Sequence, residues 1–338
     1  MSTFKICLYH QNCNDGFVAA HAVWEKDKDN TLCIPITYHE FDKQTPDEFF
    51  ESCFSDKIVS AYVMSDFKGS IRHLLSVAKT EVTVYLVDIS VPKPILLKIS
   101  EIFKWVIVLD HHESADKIYK YDPDFEHFAI TDTLDLYTIN KNVKICMDKV
   151  NSGAMVTWLY MNPDKTEVPR AIKLVSDYDT WKKEDKNADY FAAGIRYLNC
   201  RKFSELTMAL INVEGTIKSG HIAEKIREDR TNSVVKHRID VTINYRGEEY
   251  KAAIVNSSMD ISSMLGNTLV SEHGYDVGMT YCITKDGDVA WSIRSKKPFS
   301  CLFVAEAFGG GGHAQACGFA TSVGYLVDVI KSKNIYIC

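Results

Sequence analysis

Six residues invite a chemical reading before any other: His10, Asp15, Asp88, Asp110, His111 and His112. Three apolar runs, KICLYH (5–10), VTVYLVD (82–88) and WVIVLDHH (105–112), end in them, and Asp15 follows the first run in the turn YHQNCNDGF. Imidazoles and carboxylates gathered at neighbouring strand ends make a nitrogen and oxygen ligand set. Such a set suits Mn²⁺ or a similar divalent ion, and several aspartates can bridge two ions. Two bound ions would offset the repulsion among the carboxylates, acidify a bridging water and clamp a phosphoryl oxygen. Three polar residues in a row after WVIVL are costly at the end of a buried strand unless a ligand repays them. Asp66, before Phe-Lys-Gly-Ser, reads more simply as a turn or helix cap.

A second feature is FGGGGHAQACGF, residues 308–319. Consecutive glycines allow a backbone to approach a ligand closely, and successive amides there can form an anion-binding nest. His313 follows directly and can donate to a phosphate. Upstream, Arg294 in WSIRSKKPF suits a clamp on a terminal phosphate. Lys296 and Lys297 read more simply as solvated charges.

Elements must place these groups. Short apolar runs at 5–10, 32–39, 60–66, 82–88 and 105–112 alternate with helical patterns at 17–26, 71–79 and 95–103. That alternation predicts βαβ units and a parallel sheet covered on both faces, with ligands bound at the carboxyl ends of its strands. Residues 151–181 read as helices ending in LVSDYDTW, and 217–239 has helical periodicity. From 240 the pattern turns to strands, with Asp286-Gly287 as a turn between the last two, and helices at ISSMLGNTLVSEH and SCLFVAEAF. The expected organisation is an α/β domain at 1–190, a helical connector at 191–239 and a smaller α/β domain at 240–338.

The chain has 338 residues, 46% hydrophobic and 25% charged, in keeping with an ordinary globular protein. A net charge of −6 argues against a uniformly basic groove for long duplex DNA. Ten cysteines occur with no C-x-x-C pair, which favours free thiols in a reducing compartment over a disulfide frame or zinc ribbon. With no apolar run of membrane-spanning length and no signal-peptide pattern, the expected location is the cytoplasm, away from membranes.

Residues 105–112, ending in Asp110-His111-His112, resemble the signature that names the DHH phosphoesterase superfamily. GGGGHAQACG resembles the signature of the DHH-associated C-terminal domain. With YHQNCNDGF and VDIS the resemblance spans nearly the whole chain in the expected order. That superfamily includes RecJ-type exonucleases, nanoRNases and cyclic-dinucleotide phosphodiesterases. It uses two metal ions, usually Mn²⁺, in the first domain and holds substrate with the second. The resemblance therefore implies two divalent ions, Mn²⁺ first with Mg²⁺ or Co²⁺ as alternatives.

Carried over residue by residue, the resemblance makes His10 and Asp15 ligands from the first motif, H-x-D-x-D-G. It makes Asp88 the bridging ligand, with Asp66 as runner-up. Within the third motif, His111 is a ligand, while Asp110 and His112 serve catalysis. LVSDYDTW offers Asp177 or Asp179 as the fourth-motif ligand, Asp179 preferred. Gly310, Gly311, Gly312 and His313, with Arg294, match the phosphate-holding motif. One departure stands out. The chain has an extra residue between His10 and Asp15, so the first aspartate of H-x-D-x-D-G is replaced by Cys13 or Asn12. Cys13 as a thiolate, Asn12 through its carbonyl, or a weakly bound metal are the alternatives, and each shifts the metal preference.

The implied activity is hydrolysis of short oligonucleotides, dinucleotides or nucleoside phosphates by a metal-activated hydroxide attacking in line. The alternatives are an exonuclease on single strands and a non-catalytic nucleotide sensor that has lost a metal. A homodimer is compatible with either.

Overall fold

Lys5-Ile-Cys-Leu-Tyr-His10 forms β1 (Lys5–His10) inside a sheet, with a parallel strand on each side. The structure is a computed structural model describing residues 4–38, 44–53 and 81–337. The strand expected at 60–66, the helix expected at 71–79 and Asp66 lie outside the described residues. The chain divides into two units, Met1–Ala223 and Glu224–Cys338.

In the first unit β1 leads to α1 (Asn14–Trp24), β2 (Thr31–Ile36), α2 (Pro46–Glu51), β3 (Thr83–Val87), α3 (Lys93–Ile102), β4 (Trp105–Asp110) and α4 (Glu113–Tyr121). Three further strands follow, β5 (Glu126–Ala129), β6 (Leu134–Thr138) and β7 (Val143–Asp148). Then come α5 (Gly153–Met161), α6 (Arg170–Asp179), α7 (Ala188–Leu198), α8 (Phe203–Ile211) and α9 (Val213–Val234). The strand order is β2-β1-β3-β4-β7-β6-β5. Every pair from β2 to β7 is parallel, and β6 and β5 add an antiparallel edge.

The alternation of side chains explains why the strands read as continuous apolar runs. Leu8, Leu86 and Val108 enter one core with Ile95, Leu96 and Ile99 of α3. Cys7, Tyr9, Val87 and Leu109 enter another on the opposite face with Val18, Ala19 and Val23 of α1. A sheet covered on both faces needs apolar residues at both parities of each strand. Residues 191–239 are largely helical. Phe191, Ile195, Phe203, Leu206 and Ile217 from this region join the α1 core, and the division between the units falls within α9.

The second unit contains β8 (Ile239–Tyr245), β9 (Glu248–Asn256), α10 (Met259–Ser271), β10 (Val277–Ile283), β11 (Asp288–Ser295), α11 (Leu302–Ala307), β12 (Gly311–His313), β13 (Ala316–Ser322), α12 (Val323–Ser332) and β14 (Asn334–Ile337). Its sheet runs β12-β13-β11-β10-β9-β8-β14. Asp286-Gly287 does close the β10–β11 hairpin: Gly287 has φ +87° and donates to the Thr284 carbonyl at 3.1 Å. The fold is thus α/β in two units, each built on its own sheet. Among the described residues no helix is long and apolar enough to cross a membrane.

Candidate metal centre

The register of the first sheet places Tyr9, Val87 and Leu109 side by side on β1, β3 and β4. The next residues along each strand are His10, Asp88 and Asp110, so the parallel topology alone brings the three together. Beyond β1 the backbone turns through Asn12, at φ +61°, and Cys13 occupies the N-cap of α1 without capping it by its side chain. Gly16 makes that turn fit. A Cβ there would stand 2.4 Å from the His10 carbonyl oxygen, so the first turn of α1 lies against His10 only because the residue is glycine.

Asp88 is left-handed, with φ +56°, and its N–H donates to the Leu109 carbonyl at 2.9 Å. A similar constraint holds at Gly153, the first residue of α5. A Cβ on it would meet the Asp88 Cβ at 2.6 Å and Oδ1 at 2.7 Å. The N–H of Ala154 donates to Asp15 Oδ1 at 3.1 Å, so the start of α5 holds one carboxylate and leaves room for the other.

His111 stands among three carboxylates. Its Nε2 is 3.2 Å from Asp88 Oδ1, 3.4 Å from Asp179 Oδ2 and 3.8 Å from Asp15 Oδ2. One ring nitrogen carries at most one proton, so it cannot satisfy all three. His10 Nδ1 approaches Asp88 Oδ2 at 3.5 Å. Asp15 and Asp88 are each only 1% exposed. Asp15 Oδ2, both oxygens of Asp88 and His10 Nδ1 have no hydrogen-bond partner. Buried carboxylate oxygens without donors are expensive, and here they converge with imidazoles. That is the environment a divalent cation would complete.

The groups sort by position. His10, Cys13 and Asp88 offer ligand atoms within 4.8 Å of one another, as do Asp15, His111 and Asp179. Asp88 also clusters with Asp110, His111 and His112, and its Oδ1, 3.2 Å from His111 Nε2, brings it beside the second group as well. Electrostatics follow the crowding. Burial, then Asp88 and Asp179, pushes the Asp15 acid well above the usual carboxylate range. Burial alone would raise Asp88 too, but the nitrogens of His10 and His111 beside it carry it below that range. Burial lifts Asp179 against the pull of His111. The Cys13 thiol is pushed up to about 12, by burial first and Asp88 second.

Asp110 plays a different part. Its Oδ1 accepts from the His111 N–H at 2.7 Å and pairs with His112 Nδ1 at 2.6 Å, while Oδ2 accepts from Ser90 Oγ at 2.5 Å. Fully buried, it orients the two histidines. Although burial opposes it, Asp110 raises His112 to about 9. Of the two aspartates at the end of α6, Asp179 enters the cluster. Asp177 instead accepts from the N–H groups of Glu184 and Asp185, both at 2.9 Å, and closes the following loop.

Ser90, Gly153 and the Ala154 N–H were not singled out by type and spacing. Ser90 lies in the quoted VDIS, but a lone serine gives no signal. Gly153 looks like an ordinary residue after a helix cap until its distance to Asp88 is known. Tyr38 is also part of the surroundings, its ring edge-on to His10 at 5.1 Å and His112 at 5.9 Å between centroids.

In the second unit, Arg294 on β11 pairs with Ala316 on β13, and Ala316 with His313 on β12, so the three lie in one row across the sheet. The Arg294 guanidinium donates to Ser263 Oγ at 2.7 Å, the Ile293 carbonyl at 2.8 Å and Ser292 Oγ at 3.2 Å, with no carboxylate in ion-pair range among the described residues. The glycine run is not wholly a loop. Gly311 and Gly312 belong to β12, and a Cβ on Gly310 or Gly312 would stand 2.2 Å from the Gly318 carbonyl or 2.6 Å from that of Ala316. Part of the glycine requirement is therefore close strand packing. Lys296 and Lys297 are exposed.

No family model matches the chain. Uncharacterized protein R106 of Acanthamoeba polyphaga mimivirus is 26% identical over 334 residues, spanning 94% of this chain and 67% of that one. Among solved structures, an exopolyphosphatase-related protein from Bacteroides fragilis is similar at 13% identity and a TM-score of 0.45, covering 98% of this chain and 91% of its own. The pGpG-specific phosphodiesterase PggH of Vibrio cholerae is similar at 10% identity and a TM-score of 0.43, covering 98% and 96%. A putative family II inorganic pyrophosphatase of Methanococcus jannaschii is similar at 14% identity and a TM-score of 0.29, covering 97% and 100%. With TM-scores all below 0.5, these likenesses are too loose to assign a function, which must come from the site itself.

Proposed function

We propose that the protein is a metal-dependent phosphoesterase of the DHH type acting on short oligonucleotides, dinucleotides or nucleoside phosphates. The observation that carries this reading is the convergence of four buried, unpartnered atoms on one another: His10 Nδ1, Asp15 Oδ2 and both oxygens of Asp88. His10, Cys13 and Asp88 would hold one divalent cation, and Asp15, Asp88, His111 and Asp179 the other. Charge supports two ions. The carboxylates of Asp15, Asp88 and Asp179 with a Cys13 thiolate carry four negative charges, balancing two dications. Mn²⁺ suits the mixed donor set, and a sulfur ligand makes the first position softer. Bound cations would supply Lewis acidity toward a phosphoryl oxygen and acidify water at the site.

The remaining groups serve the substrate. Ser90 fixes Asp110, Asp110 fixes the Nδ1 side of His112, and His112 is left with its Nε2 edge to donate to a phosphoryl oxygen. In the second unit the row of Arg294 and His313 beside glycine amides suits a terminal phosphate. The deciding experiment is hydrolysis of a panel of dinucleotides, short oligonucleotides and nucleoside phosphates with added Mn²⁺, for wild type and His111→Ala. Turnover lost in His111→Ala supports the reading; turnover unchanged by that substitution refutes the assignment of the metal centre. A second reading, a nucleotide sensor without turnover, rests on the altered first motif, where Cys13 or Asn12 stands in place of a carboxylate. Binding of nucleotides with no hydrolysis at excess Mn²⁺ would support it.

A further inference from the structure

In the second unit two thiols touch beside the glycine run. Cys317 Sγ lies 3.0 Å from Cys301 Sγ and 3.1 Å from the Cys301 carbonyl oxygen. Cys301 precedes α11 and Cys317 is the second residue of β13, so residues 302–316, with the whole glycine run and His313, form the loop between them. Both cysteines belong to the core of the unit, Cys301 with no exposed surface and Cys317 with 6%. Neither has a part in the metal centre.

The segment they bracket is lightly held. β12 has three residues, all exposed, and stands at the edge of its sheet. Ties within the loop include the Gly310 N–H, which donates to the Ala305 carbonyl at 2.8 Å, and the Cys301 N–H, which donates to that of Ala314 at 2.7 Å. Cys317 faces Gly312 in the ladder, and the contact is tight: a Cβ on Gly312 would stand 2.7 Å from the Cys317 Cα and 2.9 Å from its Cβ. A change at Cys317 is therefore felt by the strand that carries His313. The chemistry is also prepared. Hydrogen bonding from Cys317 holds the Cys301 thiol down at about 7, against burial, and the proton between them stays on Cys317. A thiolate in contact with a second thiol is the arrangement from which a disulfide forms.

We propose that Cys301 and Cys317 are an oxidisable pair, which a hydroperoxide joins into a disulfide that staples the glycine strand and His313 to the core of the second unit. The step balances. Both S–H bonds break and one S–S bond forms; the two electrons and two protons released reduce the peroxide O–O bond to an alcohol and water, or to two waters from hydrogen peroxide. Burial of the pair admits only a small oxidant, and a dithiol reverses the step by exchange. Closing the loop removes freedom from the unfolded chain, and in the folded chain it adds a covalent tie to the edge of the sheet. The inference stands whether or not the chain hydrolyses phosphate esters, because every residue it uses belongs to the fold of the second unit.

The test is made on the full chain treated with hydrogen peroxide. Free thiols are then blocked with iodoacetamide under denaturing conditions, and the digest is read by mass spectrometry. The expected product is a peptide joining Cys301 to Cys317, two hydrogens lighter than its separate parts and split by dithiothreitol. Amide hydrogen exchange at residues 309–313 should slow by about tenfold or more in the oxidised protein, and Cys301→Ser treated in the same way should show no such slowing. Both thiols alkylated after peroxide, or each linked to some other cysteine, overturns the pairing. A joined peptide with unchanged exchange at 309–313 overturns the staple. Both of these results are read on wild type, so neither depends on the variant folding.

Discussion

Gly153→Ala is the most direct probe of how the buried Asp88 carboxylate is held. An added Cβ would stand 2.6 Å from Asp88 Cβ, 2.7 Å from its Oδ1 and 2.9 Å from its Cα. Carbon atoms settle at about 3.5–4.0 Å, so either α5 or the Asp88 turn must yield by about 1 Å. Helix propensity alone predicts the opposite sign, since alanine gains up to about 1 kcal/mol over glycine inside a helix, and less at its first residue. Overpacking of this kind costs about 1–3 kcal/mol, so the expected net effect is a loss of about 1–2 kcal/mol. Misplacing a reacting group by about 1 Å costs on the order of 100-fold in rate. Urea unfolding followed by tryptophan fluorescence should therefore show a modest destabilisation. Hydrolysis should fall about 100-fold, with Mn²⁺ affinity in calorimetry falling as well. A variant with wild-type stability and Mn²⁺ affinity would refute the claim that the glycine exists to make room for Asp88.

The other expectations concern separate parts of the first unit. Asp179→Ala should weaken Mn²⁺ binding by about tenfold or more, while Asp177→Ala should act mainly on stability, since Asp177 closes a loop; equal effects on metal affinity would contradict the assignment. Cys13→Ser should reduce affinity for the thiophilic ion Cd²⁺ more than for Mn²⁺, and identical titrations of both ions would show that the thiol only fills space. His21 gives a pH test away from the metal centre. Burial first, and Lys28 second, lowers it from 6.5 to about 3, with Nε2 2.7 Å from Thr207 Oγ1. A histidine depressed in the folded state takes up its proton on unfolding, so stability present above pH 6.5 is lost as pH falls toward 3. The loss at pH 5 is about 2 kcal/mol. Urea unfolding at pH 7.5 and pH 5 should show that much less pH dependence in His21→Leu than in wild type.

The candidate metal centre is legible in the sequence because several of its residues terminate strands. His10, Asp88 and Asp110 each end an apolar run, and parallel strands in register place such ends together without further information. The choice between Asp177 and Asp179 was harder. Both lie on one helical turn, and the difference between them is a pair of backbone N–H groups contributed by residues 184 and 185. Nor did the antiparallel edge of the first sheet announce itself. β5 is exposed along its length, so it lacks the alternation that marks a half-buried strand. The glycine run suggested an anion nest, yet packing of β12 on β13 accounts for part of it. Composition reports that a backbone approaches something closely, but not whether that something is a ligand or another strand.

The left-handed backbone at Asp88 has a bearing on how this site can change over time. L-residues pay about 1–2 kcal/mol in that conformation, with aspartate and asparagine among the few that adopt it readily. Glutamate would preserve the charge, but the turn disfavours it. Asparagine would preserve the turn, but it surrenders the charge. Shape and charge therefore cannot be exchanged one at a time. A lineage drifting at this position has no gentle intermediate, and a loss here would be abrupt where a loss at Cys13 could be gradual.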